Sequence, residues 1–213
     1  MREHRVEGYW GRYAHSYDRD GEYVVGRPIL QAIETRLLKE RCLGEVVEFG
    51  CGTGYWTRIV AGNTQHVVAT DLSDAMLEVA QNQLRGFPEA RIQQADCASA
   101  PFPGGGFDSV LMVNLLHVID RPSQCLQEAH RILRDGGVLI AADLTSYGMR
   151  IFQRFGLVLR YLQKWGLPPR KGRADMSPDE LALLVESAGF RVVELRLMEA
   201  GSNALYLRGR KGR

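Results

Sequence analysis

Three glycines alternate with other residues in the stretch GCGTG (50–54), directly after a short apolar run that contains Glu48. Because glycine has no Cβ, such a backbone can turn sharply and lie close against a bound molecule. A strand-to-helix turn needs fewer glycines, so the spacing predicts a loop that holds a ligand. The dinucleotide pattern G-x-G-x-x-G does not fit, because Gly54 comes one residue early and Tyr55 stands in the required place.

Polar side chains also close the β-rich runs that follow. Asp71, Asp96 and Asn114 each stand at the end of such a run. In an open α/β sheet, ligands bind beyond the carboxyl ends of the strands. Carboxylate and amide oxygens there can accept hydrogen bonds from hydroxyl or amino groups. An aspartate after a strand is also a common turn residue, so the prediction of a binding site rests on the whole series of strand ends.

His117, in NLLHVID just past the fourth run, is the best candidate for a general base. A histidine titrates near neutrality, which suits proton transfer. The alternative is a histidine packed against the following helix. His15 and His130 fall at helical spacing and are interpreted as surface or packing residues.

Strand-like and helix-like segments alternate, which predicts a parallel sheet with right-handed crossovers. Helical patterns begin at Thr57 and after the cap Ser73, and a third ends before Gly136-Gly137, interpreted as a stop signal. The first 40 residues and residues 147–166 are also helical in pattern. A capping box at Ser177 begins a further helix. The predicted strands are 46–49, 66–71, 90–96, 107–114 and 137–143, followed by a hairpin of 191–199 and 203–211.

The motif E-x-G-x-G-x-G (48–54) resembles the first motif of the class I S-adenosylmethionine-dependent methyltransferases, and the resemblance extends over about residues 45–145. It implies an α/β, Rossmann-like, doubly wound sheet of seven strands, with helices on both faces. That sheet would be mostly parallel, with a C-terminal antiparallel hairpin. The implied cofactor is S-adenosylmethionine, which leaves S-adenosylhomocysteine as product.

The resemblance also implies roles for individual residues. Asp71 would bind the ribose hydroxyls, with Leu72 and Met76 beside the adenine. Asp96 would accept from the adenine amino group, the backbone N–H of the next residue would donate to the ring, and Asn114 would lie near the methionine part. The implied cofactor-binding residues are Tyr17, Glu48, Gly50, Cys51, Gly52, Gly54, Asp71, Leu72, Met76, Asp96, Cys97 and Asn114.

WGRYAHSYD (10–18) is similar to the aromatic start of the small-molecule branch of this family, which includes the ubiquinone/menaquinone methyltransferases. Such segments fold over the cofactor as a lid. Tyr13 and Tyr17 would then touch the methionine end, or else pack on a helix. The implied organisation is one methyltransferase domain over 1–213: a helical lid (1–40), a cofactor-binding core (45–145), a substrate-side insert (147–175), and a helix with hairpin (177–213).

Residues 147–165 carry an apolar stripe flanked by basic residues, and no acidic residue occurs between Leu144 and Ala174. One interpretation is a cover helix docked on the sheet. The other is a basic amphipathic helix that touches a membrane surface or receives a lipophilic or anionic substrate. PPRKGR (168–173) is interpreted as a basic loop that could bind phosphate or carboxylate groups.

Composition narrows the classes of partner. The net charge of +2 does not favour nucleic acid, and the start MREHRVEGYW has no apolar core of a signal peptide. The four cysteines form no CxxC pair, which predicts a reducing, cytoplasmic location. Cys51 and Cys97 are interpreted as small packing residues. Asp143 stands alone after the fifth run, so no metal is expected.

The resulting hypothesis is a cytoplasmic S-adenosylmethionine-dependent methyltransferase acting on a small, lipophilic or aromatic acceptor. A peripheral membrane or lipid contact through 147–173 fits it, and no obligate protein partner is evident. One alternative is an RNA or protein methyltransferase that uses the basic 150–173 region, which would associate with nucleic acid in a salt-sensitive way. Another is a regulatory protein that binds the cofactor without turnover. A nicotinamide oxidoreductase is disfavoured by the glycine spacing.

Overall fold

The computed structural model describes residues 4–167 and 174–212. Eight helices and seven strands are found in these two ranges. In chain order they are α1 (His4–Gly11), α2 (Tyr17–Val25), α3 (Arg27–Leu37), β1 (Glu45–Phe49), α4 (Tyr55–Ala61), β2 (His66–Asp71), α5 (Asp74–Gln83), β3 (Ala90–Gln94), β4 (Phe107–Val113), α6 (Pro122–Ile132), β5 (Leu133–Thr145), α7 (Ile151–Trp165), α8 (Pro178–Ser187), β6 (Phe190–Ala200) and β7 (Ser202–Lys211).

The strands form one sheet in the order β3-β2-β1-β4-β5-β7-β6. β1 to β5 pair in parallel, whereas β7 lies antiparallel between β5 and β6. The predicted fold class is therefore confirmed, including the C-terminal hairpin. The chain moves outward from β1 to β3 and then returns to place β4 on the other side of β1. This reversal opens a crevice beyond the ends of β1 and β4, where α/β sheets bind ligands.

The central strands are buried on both faces, which explains their apolar sequences. Successive side chains of a strand point to opposite faces. Val110 and Met112 of β4 accordingly join a core with residues of α6 and α8. Leu111 and Val113 join a second core with residues of α3 and α4. The sheet is thus covered by helices on each side, and a large cavity is open at the strand ends.

The glycine pair before the fifth strand has a different role from the one predicted. α6 ends at Ile132 and β5 begins at the next residue, so Gly136-Gly137 lies inside the strand and does not stop the helix. Phe107 pairs with Leu133 but Ser109 pairs with Val138, which marks a bulge in β5. Gly136 has φ +76°, and a Cβ at Gly137 would lie 2.8 Å from the Arg134 carbonyl oxygen. The bulge therefore requires glycine at Gly136 and Gly137.

Two leucines of α8 allow a matched test of the core. Leu181 is fully buried against the sheet, whereas Leu183, two residues on, is mostly exposed. We expect Leu181→Ala to lower the free energy of unfolding by about 2–5 kcal/mol, because it leaves a cavity. Leu183→Ala should change it by no more than about 0.5 kcal/mol. Urea denaturation measures both values, and equal effects would contradict the described orientation of α8.

Candidate active site

A cavity of about 880 Å³ lies beyond the carboxyl ends of the parallel strands. Its walls come from the glycine loop, from the segments after β2, β3 and β4, and from α2 and α7. Among the residues predicted from the sequence, those that line it are Tyr17, Gly50, Cys51, Gly52, Asp71, Leu72, Met76, Asp96, Cys97, Asn114 and His117. Glu48 and Gly54 do not line it.

The glycine loop depends on glycine for two different reasons. Gly50 has φ +69°, and a Cβ there would lie 2.6 Å from Cδ1 of Leu115, so the loop touches the segment after β4. Gly52 has φ +54° and open space where a Cβ would be, which leaves its backbone bare toward the cavity. Gly54 has φ +80°, and its missing Cβ makes room for Leu84 and Ala80 of the α5 region. The third glycine therefore serves helix packing.

Glu48 lies beneath the loop and is fully buried. The Thr57 hydroxyl donates to its Oε2 at 2.5 Å, and Oε1 has no partner among the described residues. Burial away from water, assisted by the negative charge of Asp71, raises the pKa of Glu48 to about 7, although the hydrogen bond from Thr57 opposes the rise. Glu48 thus supports the loop from below without reaching the cavity.

Asp71 joins the end of β2 to the glycine loop. Its Oδ2 accepts the Gly52 backbone N–H and its Oδ1 accepts the Ser73 backbone N–H, each at 2.9 Å. These two bonds fix the plane of the carboxylate at the cavity wall. Each carboxylate oxygen has more than one acceptor site, so the oriented group can still accept hydrogen bonds from a ligand.

Asp96 lies two residues beyond the end of β3, slightly later than the sequence predicted. Its Oδ1 accepts the Ala98 backbone N–H at 2.8 Å, which is a turn interaction. Its Oδ2 lies 3.6 Å from a guanidinium nitrogen of Arg121. Asp96 and Cys97 both line the cavity, so the turn places them there.

Asn114 has an unusual conformation for a residue that is not glycine. Its φ is +55°, in the left-handed region, and its backbone N–H donates to the Ala142 carbonyl oxygen at 2.8 Å. The side-chain Oδ1 is buried and no described residue donates to it. A strained backbone and an unsatisfied buried acceptor both cost free energy. Their coincidence at a cavity wall points to a ligand that donates to Asn114.

His117 is paired with a residue that the sequence analysis had considered only as a metal ligand. Its Nδ1 lies 2.5 Å from Oδ1 of Asp143, which is buried at the end of β5. Asp143 also accepts the backbone N–H groups of Leu116 and His117, each at 3.3 Å. A neutral ring that donates through Nδ1 leaves Nε2 as an acceptor. The alternative prediction, in which His117 only packs against the next helix, does not include this contact with Asp143.

The pairing of His117 with Asp143 could have been inferred once the strand order was known. β4 and β5 are parallel neighbours. His117 follows β4, and Asp143 lies two residues before the end of β5. The sequence analysis treated each strand end separately and therefore missed the pair.

The N-terminal aromatic residues converge on Trp165 at the end of α7. Tyr17 lines the cavity and stacks on Trp165, with ring centroids 5.7 Å apart. Tyr13 does not line the cavity, and its hydroxyl donates to the Trp165 carbonyl oxygen at 2.9 Å. Tyr9 donates to the same oxygen at 2.8 Å. These contacts attach α1 and α2 to α7 across one side of the cavity.

Asp18 connects the same N-terminal segment to the glycine loop. Its carboxylate accepts from the Thr53 hydroxyl at 2.6 Å and from the Gln83 amide at 2.8 Å. The sequence analysis assigned it no role, although it is the aspartate of the Y-D pair that ends WGRYAHSYD. The loop, α5 and α2 are therefore held together by one side chain.

Two kinds of site are not found in the part of the chain that the structure describes. Within 4–167 and 174–212, no group of three or more His, Cys, Asp and Glu side chains is arranged to hold a metal ion. No helix in the same ranges has the length and apolar character needed to cross a membrane.

Comparisons with known proteins agree with this fold. A family model described as a methyltransferase domain matches residues 47–141. The demethylmenaquinone methyltransferase of Tropheryma whipplei (strain Twist) is 29% identical, with 94% of this chain and 90% of the relative covered. The enzyme of the same name from Clavibacter sepedonicus is 27% identical over 95% and 89% of the two chains. A Bacillus halodurans structure described as that of a methyltransferase shares the fold, with a TM-score of 0.69, 20% identity, and coverage of 85% and 98%.

By these comparisons the chain is similar to the class I S-adenosylmethionine-dependent methyltransferases, as the motif over 48–54 implied. Within that class it resembles the quinone-methylating branch, as the aromatic N-terminal segment predicted.

The buried carboxyl of Glu48 makes a pH-dependent contribution to stability. In the folded state it keeps its proton until about pH 7, whereas the ordinary pKa is 4.5. This contribution is therefore fully present below pH 4.5 and is lost as the pH rises through about 7. Glu48→Gln stays neutral and can still accept from Thr57.

Between pH 5 and 8, the free energy of unfolding of the wild type should fall by about 3 kcal/mol relative to that of Glu48→Gln. Urea titrations of both proteins without ligand, repeated at several pH values, measure this difference. A difference that is constant with pH would contradict a neutral buried Glu48.

Proposed function

We propose that the cavity binds S-adenosylmethionine on the side of the glycine loop and a small lipophilic acceptor on the side of α7. The observation that carries this proposal is the set of oriented polar groups at successive strand ends, all facing one cavity. The volume of about 880 Å³ is near the upper end of the range of about 300–1,000 Å³ for small-molecule sites. It therefore offers room for a cofactor and an acceptor together.

The residues present fit this cofactor. Asp71 presents an oriented carboxylate that suits a pair of ribose hydroxyls. The buried Oδ1 of Asn114 lacks a donor among the described residues, and the ammonium group of the methionine part would supply one. Because Gly52 has no Cβ, the cofactor can lie close against the backbone of the glycine loop. Asp96 and Cys97 line the wall proposed for adenine, together with Leu72 and Met76.

The acceptor side is apolar and aromatic. Leu157, Val158, Tyr161 and Leu162 of α7 line the cavity, and Tyr17 closes the same side. Such walls favour a flat, lipophilic molecule over a charged one. The relatives named demethylmenaquinone methyltransferases support a reduced quinone ring as the first acceptor to test.

When bound, the cofactor would supply a methyl group that is activated by its bond to a sulfonium. The protein aligns the two molecules and excludes water. We assign His117 as the base that removes a proton from the acceptor through Nε2. Asp143, bonded to Nδ1, would hold the ring and stabilise its charged form, as in other His–Asp pairs.

The competing hypotheses have less support. A nucleic-acid or protein docking surface over 150–173 would use its basic residues, but Arg160 donates to the Val24 carbonyl oxygen and Lys164 pairs with Asp20, which leaves Arg150 and Arg154 exposed among the described ones. The PPRKGR segment lies outside the described residues. A regulatory protein without turnover would have no use for the His117–Asp143 pair. Free thiols at Cys42, Cys51, Cys97 and Cys125 support a cytoplasmic location.

Calorimetric titration tests the cofactor assignment. We expect the wild type to bind S-adenosylmethionine and to give no heat with NADH. Asp71→Asn should weaken binding of S-adenosylmethionine by about 1–3 kcal/mol, because a ribose hydroxyl loses its acceptor. Asp74→Asn is the matched control, since Asp74 is exposed at the start of α5 and does not line the cavity. Equal affinities of the two variants would contradict the ribose assignment.

A second experiment tests the proposed base. With a reduced demethylated naphthoquinone in detergent as acceptor, His117→Gln should lower the rate of methyl transfer by about 10²–10⁴-fold. Asp143→Asn should lower it as well, and both variants should keep the wild-type affinity for S-adenosylmethionine. His130→Gln is the control, because His130 packs on Phe190 outside the cavity. Full activity of His117→Gln across about pH 6–9 would remove His117 from the mechanism.

A further inference from the structure

The apolar stripe of α7 is directed outward. Its six members are exposed to between 38% at Leu162 and 86% at Phe152. The interpretation in which this stripe docks on the sheet is therefore wrong for α7. A stripe of this kind is normally the buried face of an amphipathic helix, so its exposure calls for a partner. The stripe consists of Ile151, Phe152, Phe155, Val158, Leu159 and Leu162.

The orientation of α7 is set by contacts on its other face. Tyr161 packs edge-on against Trp165 and shares a hydroxyl hydrogen bond with Tyr9. Arg160 donates to the Val24 carbonyl oxygen at 2.8 Å, and Lys164 lies 3.0 Å from Asp20. The helix cannot rotate to bury the stripe without breaking these contacts, so the stripe belongs to the surface of the folded protein.

The charged residues of α7 and of its neighbours in sequence are of one sign. No acidic residue occurs between Leu144 and Ala174, whereas seven basic residues do. Arg150 and Arg154 are exposed beside the first turns of the stripe. Apolar residues bordered by arginine match the boundary of a bilayer that contains anionic lipids, where acyl chains meet negatively charged headgroups.

A second copy of the chain fits this surface less well. A symmetric dimer through α7 would pack a helix whose charged side chains are all basic against a second helix of the same kind. The helix has no acidic side chain to pair with them, and like charges oppose such an interface. Charge complementarity therefore favours an anionic lipid surface.

The stripe is also continuous with the cavity. Val158 and Leu162 belong to the stripe and line the cavity, and Arg154 stands at the same border. A lipophilic molecule that leaves a bilayer at this point would enter the cavity beside the apolar side chains of Val158 and Leu162.

We propose that α7 docks on the surface of an anionic phospholipid bilayer, with its stripe in the boundary between headgroups and acyl chains. No helix in residues 4–167 and 174–212 could span the bilayer, so this contact is peripheral. The purpose of the contact, direct delivery of a lipophilic acceptor, rests on the proposed function; the contact itself does not.

Vesicle sedimentation of the full chain, without cofactor or acceptor, tests the docking. We expect binding to vesicles of mixed phosphatidylglycerol and phosphatidylcholine, and much weaker binding to phosphatidylcholine alone or at high salt. Phe152→Ser combined with Phe155→Ser should weaken partitioning at least about tenfold. Neither phenylalanine lines the cavity, and both are so exposed that folding should be unaffected. Leu183→Ser is the control, an exposed leucine on α8.

Three results would overturn the docking: no binding of the wild type to either vesicle, equal binding of the double variant, or equal loss in the control. Sedimentation velocity is measured on the same samples. A wild-type dimer that the double variant converts to monomer would assign the stripe to a second copy instead. Calorimetry with S-adenosylmethionine on the same protein reports separately on the proposed function, so failure of one proposal is distinguishable from failure of the other.

Discussion

The close approach of the glycine loop to the end of β4 is the constraint on which the site depends. A Cβ at Gly50 would collide with Leu115, so only a bare backbone allows the first loop and the fourth strand end to meet. This contact lies at the point where the strand order reverses, and it brings Gly50 and Leu115, 65 positions apart in sequence, to one cavity. Asn114 and His117, on either side of Leu115, take their places from it.

Buried or oriented carboxylates hold the remaining walls to that centre. Asp71 ties β2 to the loop, Asp18 ties the N-terminal segment to it, and Asp143 ties β5 to His117. Each of these groups accepts hydrogen bonds from fixed donors, which removes its freedom to rotate. Glu48 differs, because burial favours its neutral form. The site therefore combines hydrogen-bonded carboxyl groups at the cavity wall with a buried acid of raised pKa beneath the loop.

α7 has two faces with different surroundings. One face meets the aromatic N-terminal residues and lines the cavity, whereas the other exposes a continuous apolar stripe. An exposed stripe costs solubility unless it has a use. The arrangement is understandable if the acceptor is lipophilic, because the same helix can then meet a bilayer and form the wall of the binding site.

Much of this protein could be predicted from its sequence. The apolar runs specified the strands, because strands buried on both faces need apolar residues throughout. The alternating glycines and the polar residue that ends each run indicated the site, because parallel strand ends share one edge. These are local signals, and they predicted β2 with the same bounds, 66–71, that it has in the structure.

Only the tertiary structure decided which of those residues meet. In the sequence, Gly54 and Gly136-Gly137 cannot be distinguished from Gly50. In the structure, Gly54 allows helix packing and Gly136-Gly137 lies in a strand bulge, because the neighbours of these glycines come from distant parts of the chain. The partner of His117 depends on β5 lying beside β4, and the outward direction of the α7 stripe depends on α2 holding the opposite face. The sequence by itself indicated the succession of strands and helices and the polar residues at the strand ends that line the cavity. Pairing across the sheet and the choice of exposed face depend on long-range packing, which no local pattern of residues records.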